Sequence, residues 1–143
     1  MENFQGNSKK NLSGFSLKKE ERLCSKKLID LLFSEGASFL VFPIKIIFLE
    51  TSLPAPFPVQ AAFAVSKKSF KKAVHRNLIK RKMREAWRLN KQLLGNQLNE
   101  GQQLAVFFIF IGKEIPDYPS VEAAMTKGIK KLIKKQQQTK ETS

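Results

Sequence analysis

Residues that carry chemistry are scarce in this chain. Among 143 residues there is one cysteine, one histidine, one tryptophan and one tyrosine, and 12 acidic residues face 26 Lys and Arg. Cys24 alone excludes an intrachain disulfide framework and a cysteine-based zinc cluster, and it suits a reducing compartment. Asp30 and Asp117 are the only aspartates, and the glutamates show no paired spacing. The carboxylate cluster needed for metal-dependent hydrolysis is therefore missing. His75 opens a strongly basic stretch, where an exposed surface residue is the plainer reading than a catalytic base. No apolar run is long enough to cross a bilayer as a helix, the longest being Phe39 to Leu49 and Leu104 to Ile111. The N-terminal MENFQGNSKKNLSGF has no apolar signal core. These absences lead us to expect a soluble cytoplasmic protein with no catalytic residues, no metal site and no cofactor bound by the protein alone.

Positive charge is what the chain has in excess. A net charge of +14 opposes compaction and attracts polyanions, so nucleic acid is the expected partner ahead of an anionic membrane. With 42% apolar residues the chain can bury one core. Residues 1–14 read as a flexible basic tail, 15–135 as a single domain and 136–143 as a disordered tail. Leu23, Leu28, Ile29, Leu31, Leu32 and Phe33 suit an amphipathic helix from about Lys18 to Ser34, ending before Gly36. Phe39 to Glu50 reads as one strand, with Pro43 marking a break or an edge. TSLPAPFP is a loop, read as a plain connection rather than a Pro-rich recognition segment. Val59 to Val65 is a second strand. Leu104 to Ile111, apolar on both faces, is a central covered strand. The last helix opens at Pro119 and Ser120, repeats apolar residues at Val121, Met125, Ile129, Leu132 and Ile133, and ends in a basic turn that suits the helix dipole. The order α-β-β-α-β-α predicts a small α/β (α+β) two-layer sandwich, with helices packed on a three- to four-stranded sheet.

The sharpest feature is the basic helix expected from about Ser69 to Leu94. At about 100° per residue, Ile79, Met83, Ala86, Trp87, Leu93 and Leu94 share one arc wide enough to lie on a sheet. Asn77, Lys80, Arg81, Arg84, Arg88 and Lys91 share the neighbouring arc. Cations four residues apart lie about 6 Å apart along the axis, close to the phosphate spacing of a nucleic-acid strand. Lys67, Lys68, Lys71, Lys72 and Arg76 crowd the helix N-terminus, where each positive charge costs about 0.3–1 kcal/mol. No capping box offsets this, since Lys72 stands three residues after Ser69. Free N–H groups among ammonium groups suit a phosphate. A merely solvated face would carry glutamates between its lysines. From Ser66 to Lys91 there are eleven positive residues and one acid, Glu85.

AVHRNLIKRKMREAWR resembles the signature of the protein component of bacterial ribonuclease P. The matching residues are Ala73, Val74, Arg76, Asn77, Lys80, Arg81, Arg84, Glu85, Trp87 and Arg88. VSKK (Val65 to Lys68) and FSLKKEERL, through Phe15, Leu17, Lys18, Arg22 and Leu23, also resemble the family, and the likeness spans about residues 14–135. Two departures stand at the helix entrance. Leu78 replaces a basic residue that often follows Arg-Asn, and Ser69 to Lys72 replace a glycine common before Ala-Val. The resemblance implies an auxiliary role in an endonuclease. A catalytic RNA that uses magnesium would hydrolyse precursor tRNA at its mature 5′ end, while the protein binds that RNA through the basic helix and holds the 5′ leader in a cleft beside the sheet. It also implies a left-handed β-α-β crossover, against the usual preference. No DNA, membrane or protein partner is expected.

The expected RNA contacts are Lys67, Lys68, Lys71, Lys72, Arg76, Asn77, Lys80, Arg81, Arg84, Arg88 and Lys91, in a single RNA-binding domain. Single-strand binding calls for aromatic platforms with cations, which for the leader points to Phe15, Lys18, Arg22, Phe63 and Lys67. Trp87 sits where the apolar and basic arcs meet and reads as a core anchor. The alternative is a non-catalytic structural RNA-binding protein of ribosomal type, which would share size and charge but not the ordered signature. A DNA-binding helix-turn-helix fits less well, because strands flank the basic helix.

Overall fold

Pro43 turns one apolar run into two strands. The computed structural model describes residues 18–142, with side chains through residue 136. In it α1 (Lys26–Glu35) precedes a hairpin of β1 (Ala37–Val41) and β2 (Ile44–Glu50), paired from Ala37↔Phe48 to Val41↔Ile44. Phe42 and Pro43 form the turn, where a missing proline N–H costs no ladder bond. The single strand expected over this stretch is therefore a hairpin. β3 (Val59–Val65) leads into α2 (Ala73–Gly95), which crosses over to β4 (Leu104–Phe110). The sheet order is β1-β2-β4-β3, with central β4 antiparallel to β2 and parallel to β3. α3 (Tyr118–Thr142) closes the chain and runs through the segment from residue 136 that was expected to be a disordered tail. Asp117 Oδ1 accepts from the Ser120 N–H at 2.9 Å and caps its start.

Strand alternation divides the apolar residues between two faces. Ile44, Ile46 and Phe48 join Leu104, Val106, Phe108 and Phe110 in the main core under α2 and α3. The other face carries Ile47, Leu49, Ala105, Phe107 and Ile109, where α1 supplies Leu28, Ile29 and Leu32. The sheet and the α2–α3 pair are the two layers of the sandwich, and α1 adds a partial cover on the opposite side. Gly36 allows α1 to meet β2 closely, because a Cβ there would lie 2.5 Å from the Leu32 carbonyl and 2.9 Å from that of Phe48.

The first helix is shorter than expected. Lys19–Glu21 form a 3-10 turn, and Arg22 then pairs alongside Ala61 at the outer edge of β3. Ser25 restarts the chain as a helix, its Oγ accepting from the Leu28 N–H at 3.3 Å. Extended backbone at Arg22 and Leu23 is stabilised by the bond from the Leu23 N–H to the Ala61 carbonyl. That partner lies in a strand far along the chain, so helical periodicity could not reveal it.

Candidate nucleic-acid interface

The entrance to α2 is anchored before it is charged. Phe70 is buried against Phe110, with ring centroids 6.0 Å apart. Arg76 Nη1 donates to the Phe70 and Lys71 carbonyls at 2.7 and 2.8 Å. Expected only as an RNA contact, Arg76 thus ties the loop to the helix. Lys67, Lys68, Lys71 and Lys72 are exposed around this loop. Lys72 stands at the N-cap without a side-chain cap bond, and the first turn holds no acidic residue. Unbonded N–H groups therefore face a cluster of ammonium groups, an arrangement that favours a phosphate.

Along α2, Ile79, Met83, Ala86, Trp87 and Leu94 are buried as the apolar arc requires. Trp87 is core, with its ring centroid 5.4 Å from that of Phe108. Leu93, expected to pack, is exposed. On the neighbouring arc Asn77, Arg81 and Arg84 are exposed and Lys80 is half-buried. Arg88 is in part neutralised, donating to both Glu85 oxygens at 2.6 and 3.1 Å. That hydrogen bond holds the Glu85 carboxyl below, and the Arg88 guanidinium above, their ordinary ranges. Lys91 corrects the expectation outright. It is fully buried, and its Nζ lies 2.6 Å from Glu21 Oε1. The N-terminal 3-10 turn covers the end of the cation row and takes Lys91 out of any contact with RNA. The remaining surface is a row of Lys80, Arg81, Arg84 and Arg88 continuing from the lysine-rich entrance.

The leader candidates separate in space. Lys18 and Arg22 are exposed, and Arg22 runs beside β3, at whose end Lys67 stands. Phe63 does not join them, because it stacks on Phe108 at 5.4 Å, partly buried against the main core on the α2 side. Phe15 lies outside the described residues. The outer face of the sheet offers a surface outside those five candidates. Beyond the part covered by α1, Leu40 and Lys45 are exposed neighbours on β1 and β2, and Ile109 pairs with Lys45. Phe107 is half-buried one step further along β4, in edge contact with the half-exposed Phe33 at 5.3 Å. Lys45 had a signal, as the single cation inside FLVFPIKIIFLE. Among the described residues no group of three or more His, Cys, Asp or Glu could hold a metal ion, and no helix is long and apolar enough to cross a membrane.

Comparison with known proteins bears on the chain as a whole. The family model described as Ribonuclease P matches residues 17–135. A ribonuclease P protein component from Porphyromonas gingivalis is 40% identical over 116 residues, which make up 80% of this chain and 85% of that protein. Another, from Chlorobium phaeobacteroides, is 39% identical over 114 residues, covering 72% of this chain and 78% of its own. Among solved structures, an RNase P protein from Thermotoga maritima is similar with a TM-score of 0.61 at 24% identity, over 78% of this chain and 96% of that one. An RNase P protein mutant from Staphylococcus aureus has a TM-score of 0.62 at 17% identity, over 81% and 90%. At these identities the two structures speak for the fold.

Proposed function

The chain belongs to the ribonuclease P protein family, and from that premise we propose how its surfaces divide the work of leader removal. As a member it is a tRNA-processing subunit that partners ribonuclease P RNA in an endoribonuclease complex. In our reading that RNA, with magnesium, hydrolyses the phosphodiester in the cytoplasm, and the protein contributes binding. The observation that carries this division is the largely uncompensated row of half-buried Lys80 and exposed Arg81 and Arg84 leading from the lysine-rich α2 entrance. Those cations bind RNA phosphates and release their counterions, which makes binding strong and salt-dependent. The 5′ leader of precursor tRNA lies on the outer sheet face, its bases against Phe107 and Phe33 and its phosphates near Lys45. Lys18, Arg22 and Lys67 flank its path along β3.

The test is cleavage of precursor tRNA at low magnesium by a bacterial ribonuclease P RNA, with and without this protein. Cleavage restored at the mature 5′ end supports the proposal. Binding without any stimulation overturns it and favours a structural RNA-binding role.

A further inference from the structure

α3 carries a second cation row that the function above leaves unused. From sequence, the lysines near its end read as a basic last turn complementing the helix dipole. The structure removes that explanation, because α3 continues to Thr142, more than a turn beyond Lys134, and the dipole effect is confined to the terminal turn. Lys127, Lys130, Lys131 and Lys134 follow i, i+3, i+4, i+7 spacing, which places them on one stripe of the helix. All four are exposed, while Val121, Met125, Ile129 and Leu132 are buried on the opposite side. None of the four forms an ion pair with an acidic group among the described residues. Lys131 alone has a local contact, over the Phe39 ring at 5.4 Å.

This stripe is separate from the α2 row. Between them lies Tyr118, at the start of α3, whose hydroxyl pKa is raised by burial and then by the charges of Glu122 and Glu85. The stripe lies toward the β1 edge, where Lys131 sits over Phe39, whereas α2 packs over β3 at the opposite edge of the sheet. A shallow hollow lined by Pro119, Glu122, Ala123, Thr126, Lys127 and Lys130 borders the stripe on its own helix, with Glu122 as its one acid. Four like charges at close spacing repel one another by a few tenths of a kcal/mol per pair, with no structural return inside this chain. A polyanion removes that repulsion.

We propose that Lys127, Lys130 and Lys134 form a second phosphate-backbone site, which holds an RNA segment distinct from the one along α2. The span from Lys127 to Lys134 is about 10 Å, enough for two successive phosphates of one strand. The proposal rests on the RNA-binding reading above. Two sources supply the same chemistry, the ribonuclease P RNA and the body of precursor tRNA, and they can be told apart.

The experiment compares wild type, Lys127→Ala/Lys130→Ala/Lys134→Ala, and the same three positions changed to Arg. Binding to ribonuclease P RNA alone, and of precursor tRNA to the assembled holoenzyme, is measured across a salt series. The alanine variant should flatten the log K against log salt slope by about 2 in one of the two assays, and the arginine variant should keep the wild-type slope. Loss in the first assay identifies the ribonuclease P RNA as the occupant, and loss in the second identifies the substrate. Slopes equal to wild type in both, with cleavage still stimulated by the wild-type protein, overturn the second site alone. A wild-type protein that neither binds nor stimulates overturns both readings together. Circular dichroism and the unfolding midpoint should match wild type, since the three side chains point away from the core.

Discussion

At the residue scale the buried pair of Lys91 and Glu21 shows most clearly how environment changes a side chain's role. Both are at most 1% exposed, and 70 residues of chain separate them. Removing one partner leaves an uncompensated buried charge, so Lys91→Met should destabilise the fold by about 3–5 kcal/mol. Adding Glu21→Gln should recover part of that loss. Urea unfolding of the two variants checks this, and an equal loss in both would contradict the pairing. A helical wheel placed Lys91 at the correct angle, about 20° from Arg84. It could not show that Glu21 would lie across that angle. The same limit applies to Phe63. Its aromatic character was legible, but the side of the sheet it faces was not.

At the scale of elements, α2 is a scaffold at its entrance and, in the function proposed above, an RNA surface beyond it. Arg76 and Arg84 look equivalent in the sequence, yet Arg76 bonds two loop carbonyls and Arg84 is exposed. Arg84→Ala should leave stability within about 0.5 kcal/mol of wild type and reduce the salt slope of RNA binding by about 0.7–0.9. Arg76→Ala should instead cost about 1.5–3 kcal/mol, the range for hydrogen bonds to charged groups. Thermal unfolding beside binding titrations separates the two effects. The start of α3 has its own pH signature. Hydrogen bonds from Ser120 hold the Asp117 carboxyl below its ordinary range. A folded pKa below the unfolded one adds stability above the ordinary carboxylate range, which is lost as pH falls through the lowered value. Asp117→Asn should therefore flatten the acid limb of a stability–pH profile while leaving its neutral plateau nearly unchanged. Of the strands, β3 was legible to the residue, because its apolar run is bounded by prolines before it and lysines after it. The hairpin was not, since Pro43 marks a break without saying that the chain reverses there.

For the whole molecule, the sheet separates two tasks. The α2–α3 side is the core, and the open part of the outer side is where we place the leader. Phe107→Ala should weaken binding of leader-bearing precursor more than that of mature tRNA, by about 1–3 kcal/mol, the range for a base stacked on an aromatic ring. Phe63→Ala should cost about 3 kcal/mol of stability through the cavity it leaves, with no change in that discrimination. Equal losses on both RNAs for Phe107→Ala would return it to a packing role. The sequence by itself determined the three helices and the apolar runs between them, the polyanion partner and the family, because periodicity, net charge and an ordered motif are properties of neighbouring residues. Tertiary structure alone decided which cations remain in solvent, which phenylalanines are core and where α1 leaves the sheet open. Those outcomes depend on contacts between residues far apart in the chain, such as Glu21 over Lys91 and Arg22 beside Ala61, and no local pattern encodes what will come to lie on top of it.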